Sequence, residues 1–305
     1  MFVIVFQQLI KMVIIMVIAY ICFKMKLVNQ EGNKTCSNLL LMVINPCIMI
    51  VTFQIDYDPN LARNLIITFV LAIIAHVIAI VMTRLFTRKK NNPEYEVESF
   101  AAIYSNCGFI GIPLAFSVFG TIGVFYVTAF MAVFQVVQWT HGIGLMQGGF
   151  SLKYLKNGLL SPVMITIAIV LPMYFLQIRL PSLLLESANF IASMNTALAM
   201  MVAGFSLAQV DLKSMLKNGN LYRVNLIKLI LIPLVTLAVL IPLPVDPQVK
   251  YVTLIAIACP TAVSALMFAM RHDKNYKYSS EIFSLSTLFS MATIPGIVFV
   301  AGFFF

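Results

Sequence analysis

Asn106 is an amide set among apolar residues, and Gly108, Gly111 and Pro113 follow it closely. The run Tyr104-Ser105-Asn106-Cys107-Gly108-Phe109-Ile110-Gly111-Ile112-Pro113-Leu114 lies inside a longer apolar stretch, Ser99 to Phe119. That stretch is long enough to cross a bilayer at ~20 residues per crossing. A lipid-facing helix has no use for this set of residues. Pro113 lacks an N–H and crowds the carbonyl of Phe109, which predicts a bend or break there. Gly108 and Gly111 loosen the backbone and put no side chain in the way. Free backbone groups at membrane depth persist only where protein buries them or a cavity hydrates them. The chemistry this allows is recognition. Main-chain N–H groups at a helix start favour anions, and Asn106 adds a neutral donor that binds a carboxylate without trapping it.

A counterpart lies in the other half of the chain, Ile257-Ala258-Cys259-Pro260-Thr261-Ala262-Val263-Ser264-Ala265, inside the apolar run Tyr251 to Met270. Interrupted spans at corresponding places in two halves point to a transport site. Asn106 and the backbone near Gly108, Gly111 and Pro260 are the first site candidates, with Pro113 and Thr261 beside them. Further polar residues interrupt other apolar runs: Asn45 before Pro46, Gln135 and Gln138 on one helix face, Asn195, and His76. Asn45, Gln135, Gln138 and Asn195 are secondary substrate-binding candidates; each also has a plain alternative as a hydrogen bond between helices. Lys11 and Lys228 also fall within apolar runs and either snorkel or face a wet cavity. His76 is a candidate for proton coupling, because an unperturbed imidazole titrates near ~6.5, or else a structural hydrogen-bonding residue.

Missing features matter as well. No Asp or Glu is evident within a span; Asp56, Asp58, Asp211, Asp246 and Glu281 read as span ends or loops. No GxxxxGK[ST], HExxH or GxSxG motif occurs, so no catalytic residue, metal or cofactor is expected and the chain reads as a non-enzyme. The five cysteines have no metal-type spacing and read as small buried hydrophobes.

These residues are carried by ten expected spans, roughly Val5–Phe23, Thr35–Phe53, Leu65–Leu85, Ser99–Phe119, Thr121–Gly142, Leu159–Leu176, Leu185–Leu207, Leu221–Leu243, Tyr251–Met270 and Ser280–Phe303. Lys11 interrupts the first run and no small-residue cleavage site follows, so the N-terminus reads as a span and not as a cleaved signal. The loop from Asn91 to Glu98 is the most polar stretch and reads as solvated. Odd-numbered loops hold 15 Lys and Arg against 3, Arg63, Arg179 and Lys250, in the even-numbered ones. The rule that basic loops stay inside puts both termini outside, Asn91 inside and Asp246 outside. Five spans repeated must point the other way, so residues 1–158 and 159–305 are expected to form two inverted repeats.

Of the 305 residues, 61% are hydrophobic and 10% charged, and the mean hydropathy is +0.97. Soluble domains carry about 25% charged residues, so this is an all-α integral membrane protein. The net charge of +9 sits in short loops and is no sign of nucleic-acid binding.

Ser105 to Leu114, with Phe119-Gly120 after it, resembles the fourth-helix motif of the auxin efflux carrier family. Cys259-Pro260-Thr261 is similar to that family's ninth-helix crossover. Asn45-Pro46 and Gly204-Phe205-Ser206-Leu207 are similar to its second- and seventh-helix motifs. The resemblance implies ten helices in two inverted five-helix repeats, related to bile acid–sodium symporters, with helices 4 and 9 crossing near the midplane. It also implies export or import of small organic anions: plant members carry auxin, microbial ones malate- or malonate-like acids. This chain lacks the long central loop of many plant members and looks like a short microbial carrier in a plasma (inner) membrane. The expected function is therefore a secondary transporter of small organic anions by alternating access, with the lipid bilayer as its setting. Proton coupling and a homodimer stay open as partners. The rival readings are a sodium-coupled symporter, an anion channel or membrane sensor on the same fold, and a membrane enzyme.

Overall fold

The computed structural model describes residues 2–90, 92–147, 156 and 158–305. Asn91, expected inside, and the loop residue Lys153 lie outside the described residues. Among those described there is no strand. Seven helices are long and apolar enough to cross a membrane, as expected of a chain whose backbone must satisfy its own hydrogen bonds in lipid. In chain order the helices are α1 (Phe2–Lys24), α2 (Gln30–Thr52), α3 (Pro59–Phe86), α4 (Tyr95–Ile103), α5 (Cys107–Gln147), α6 (Pro162–Phe175), α7 (Ser182–Ala208), α8 (Leu212–Lys217), α9 (Gly219–Leu240), α10 (Pro247–Ala258), α11 (Ser264–Arg271) and α12 (Tyr276–Ala301).

Local sequence explains where several of these start. Asp58, Ser161 and Asp246 each precede a proline, and each side-chain oxygen accepts an N–H of the following first turn. That places an N-cap before a residue whose missing N–H costs nothing. α1 buries Val5, Leu9, Met12, Met16 and Ala19, alternating steps of three and four, and packs against α7 along that stripe. The contact is close because of Gly204: a Cβ there would lie 2.2 Å from the carbonyl oxygen of Met16. α5 turns sharply at Gly120, whose φ of 60° and ψ of −145° belong to glycine alone. This is the point at which the sequence separates the fourth and fifth runs.

The structure corrects the sequence reading at four places. The interruption predicted at Pro113 lies instead at Tyr104–Asn106, between α4 and α5. Pro113 sits inside α5, just past a π turn at Cys107–Gly111. The same arrangement recurs at Leu40–Ile44 before Pro46 and at Ile227–Leu231 before Pro233. The wider turn absorbs a proline ring that an α-helical ladder would reject. The polar stretch ending at Glu98 is not simply solvated. Glu98 is buried, accepting from Arg223 at 2.6 Å, Tyr278 at 2.8 Å and Asn92 at 2.7 Å. Lys228 neither snorkels nor faces water but is fully buried, whereas Lys11 is exposed. Glu281 is buried within the first turns of α12 and is not a loop residue. All five cysteines are free, with Cys107 and Cys259 buried and the other three half-buried.

Candidate functional site

The two interruptions meet. Ser105 and Thr261 form an isolated antiparallel bridge, in which Asn106 N–H donates to the carbonyl of Pro260 at 2.7 Å and Ala262 N–H to that of Tyr104 at 2.9 Å. Each broken helix thus satisfies backbone groups that the other's break has freed. Thr261 stiffens the crossing: its hydroxyl donates to Ala101 at 3.0 Å and its N–H to Ser286 at 3.1 Å. Gly111 fits against Cys107 and Cys259, where a Cβ would lie 3.4 Å from each. Lys228 reaches the crossing from the π turn of α9. Its Nζ donates to Ser105 Oγ at 2.5 Å and to the carbonyl of Ile257 at 3.4 Å. Ser105 in turn donates to that same carbonyl at 3.0 Å.

Beside the crossing lies a cavity of about 270 Å³. Asn45, Ser105, Asn106, Gly108, Gln135 and Gln138 line it, with Ser161, Ser264 and Arg271. Phe109, Met131, Phe134, Trp139 and Phe268 make most of its wall apolar. Asn106 is the N-cap of α5 but its side chain caps nothing, and its Nδ2 is buried without an acceptor. Asn45 Nδ2 is also buried without an acceptor. Its carbonyl oxygen accepts from Asn195 Nδ2 at 2.8 Å, so Asn195 orients Asn45 from outside the cavity. Gly108 leaves room for this amide: a Cβ there would lie 3.6 Å from Asn45 Nδ2. Two residues with unpaired amide donors, and the start of α5, therefore border one apolar chamber.

Gln135 and Gln138 play a different part. Gln138 donates to Gln135 at 3.2 Å and accepts from Ser264, while Gln135 reaches Ser161 at 3.5 Å. This ladder ties α5 to α6 and α11. Among the described residues Arg271 is the one charged residue lining the cavity, and it is exposed and has no ion pair. Beside it, burial first and then Arg271 itself push His272 below its ordinary pKa.

The structure thus gathers Asn45, Asn106, Gly108, Gln135 and Gln138 around one space. Gly111, Pro260 and Thr261 build the crossing without lining it, and Pro113 lies further along α5. His76 is elsewhere, buried with Nδ1 2.7 Å from the carbonyl of Ala72 and its ring 5.0 Å from that of Phe130. Sequence reasoning left Lys228 undecided and passed over Ser264, Trp139 and Arg271. The only signal for Lys228 was a lysine inside an apolar run. Among the described residues no cluster of three or more His, Cys, Asp or Glu could hold a metal.

The family model described as membrane transport protein matches residues 4–154 and 149–298 of the chain. No curated protein matches it.

Proposed function

From the chain's membership of this family of membrane transport proteins, the auxin efflux carrier family, we propose that it is a secondary transporter of small organic anions working by alternating access. One observation carries the reading. Asn45 and Asn106 both hold buried amide N–H groups that lack acceptors, beside a crossing of two broken helices. A carboxylate supplies the missing acceptors, and the helix start at Cys107 favours its charge. Asn106, Asn45 and the backbone at Gly108 are the proposed binding groups. Asn195, Gly111, Pro260 and Thr261 hold them in place.

We place these groups in ten spans, 1–158 and 159–305 forming inverted repeats in a plasma membrane with both termini outside. The paired interruptions support this, one in each half at the crossing. So does the Asn45–Asn195 pair, which joins interrupted helices α2 and α7. The test is counterflow in proteoliposomes against a panel of dicarboxylates, monocarboxylates and indole acids. Saturable uptake, accelerated by unlabelled acid inside, is the expected result. Non-saturating flux would replace the carrier with a channel, and no flux with any acid would reject an organic-anion substrate.

A further inference from the structure

Among the described residues two glutamates are buried, Glu98 and Glu281, and they are treated in opposite ways. Glu98 has donors from Arg223, Tyr278 and Asn92. Glu281 is 6% exposed and forms no hydrogen bond or ion pair among the described residues. It lines a separate cavity of about 360 Å³, bounded by Phe23 at the end of α1, Gln30 at the start of α2, Gln209, Val210 and Asp211 after α7, and Tyr276, Lys277 and Ser280 on α12. The neighbours from α1 and α2 are neutral. Asp211 is exposed and caps the N–H of Lys213 at 3.0 Å, and Gln209 donates to Phe205 at 3.1 Å. Lys277, one turn earlier on α12, is exposed, as are Lys213 and Lys217 of α8. Of the other elements packed on α12, α4 and α9 present Glu98 and Arg223, bonded to each other, Glu96, paired with Lys274, and Lys228, whose Nζ is taken up by Ser105 and the carbonyl of Ile257. Lys250 of α10 donates to the carbonyl of Ile241 at 3.2 Å, and Arg271 of α11 is exposed at the other cavity. An ionised carboxylate with so little access to water, and with only the exposed Lys277 as a nearby opposite charge, costs free energy that one bound proton removes.

We propose that Glu281 is a proton-binding site at the contact of α12 with α1, α2 and the end of α7. The carboxyl binds one proton while this contact encloses it and releases it to water when the contact opens. The open wall of the cavity, with exposed Gln30, Asp211 and Lys277, is the route to solvent. If the carrier reading above holds, motion of α12 against α1 and α7 links this proton to the direction the crossing faces. That places the coupled proton at Glu281, at a different point of the fold from His76.

The test needs no substrate. Infrared difference spectra of the purified full chain in lipid nanodiscs, titrated with acid and base, read the carbonyl band of a protonated carboxyl. The expected result is a titrating band in the wild type that is lost in Glu281→Gln. The amide is neutral and nearly the same shape, so the fold should hold. Glu281→Asp keeps a carboxyl and should keep a band at a shifted frequency. A wild type without a titrating band, or one unchanged in both variants, overturns the proposal. Thermal stability in sodium chloride against choline chloride separates the remaining chemistry: stabilisation by sodium that disappears in Glu281→Gln would make the carboxyl a cation ligand and overturn the proton assignment. Failure here leaves the carrier reading untouched, and failure of every acid in the counterflow panel leaves the band untouched.

Discussion

At the scale of single residues, the proposed site rests on donors that are kept unpaired. A buried donor without an acceptor costs about 1–3 kcal/mol, and Asn45 and Asn106 each hold one at the same cavity. On the carrier reading proposed above, binding of a carboxylate recovers that cost as charge-assisted hydrogen bonds. Removing one such bond costs about 1.5–3 kcal/mol, or on the order of 10–100-fold in affinity. Asn106→Ala is therefore expected to raise the KM for the transported acid by that factor with protein level unchanged. Asn106→Asp, which opposes a carboxylate with like charge, should abolish uptake. A KM equal to wild type in Asn106→Ala would remove Asn106 from the site. Gly108→Ala is a finer probe. Its Cβ would meet Met131 at 3.4 Å and Asn45 Nδ2 at 3.6 Å, ordinary contacts, so thermal stability should hold while transport falls. Loss of both together would mean that Gly108 serves packing alone. Lys228 illustrates why side-chain roles were only partly legible. A lysine in an apolar run has a few available fates, and only the fold shows that its Nζ is held by Ser105 and the carbonyl of Ile257.

At the scale of elements, the interruptions were legible but their positions were not. A proline removes one hydrogen bond, and sequence alone does not say whether the chain responds with a break or with a π turn. At Pro46, Pro113 and Pro233 it makes a π turn, and at Pro260 a break. The difference follows from partners. Pro260 offers its carbonyl to Asn106, so the broken backbone is satisfied across the crossing, and no such partner is needed where a helix stays continuous. The close approach of α1 and α7 was likewise hidden, since Gly204 reveals its purpose only once Met16 stands opposite. Gly204→Val forces side-chain atoms into the carbonyl of Met16. Overpacking of this kind costs about 1–3 kcal/mol, so a lower melting temperature is expected with no change of KM in the protein that remains folded. Unaltered melting would show that α1 and α7 do not pack in this way.

At the scale of the whole molecule, charge in the loops and the opening of the cavity make one joint prediction. The bias of Lys and Arg predicts that the loops that follow Gly142 and Met270 lie inside. Ser161, Ser264 and Arg271, which line the crossing cavity, come from the segments next to those loops. If the bias sets the orientation, this cavity opens inward. Asp246 belongs to the opposite end, where it caps α10 and accepts from Asn64 at 3.2 Å. Single cysteines at positions 91, 246 and 264, in a cysteine-free background, test the whole arrangement with an impermeant thiol reagent. In intact cells position 246 should label and position 91 should not, and inverted vesicles should reverse the pair. Position 264 should follow position 91 and be protected by the transported acid, because Ser264 shares the cavity with Asn45 and Asn106. Labelling of position 91 from outside would invert the orientation. Labelling of 264 from the side opposite to 91 would keep the orientation but show that the inward-open form is not the one the protein populates at rest.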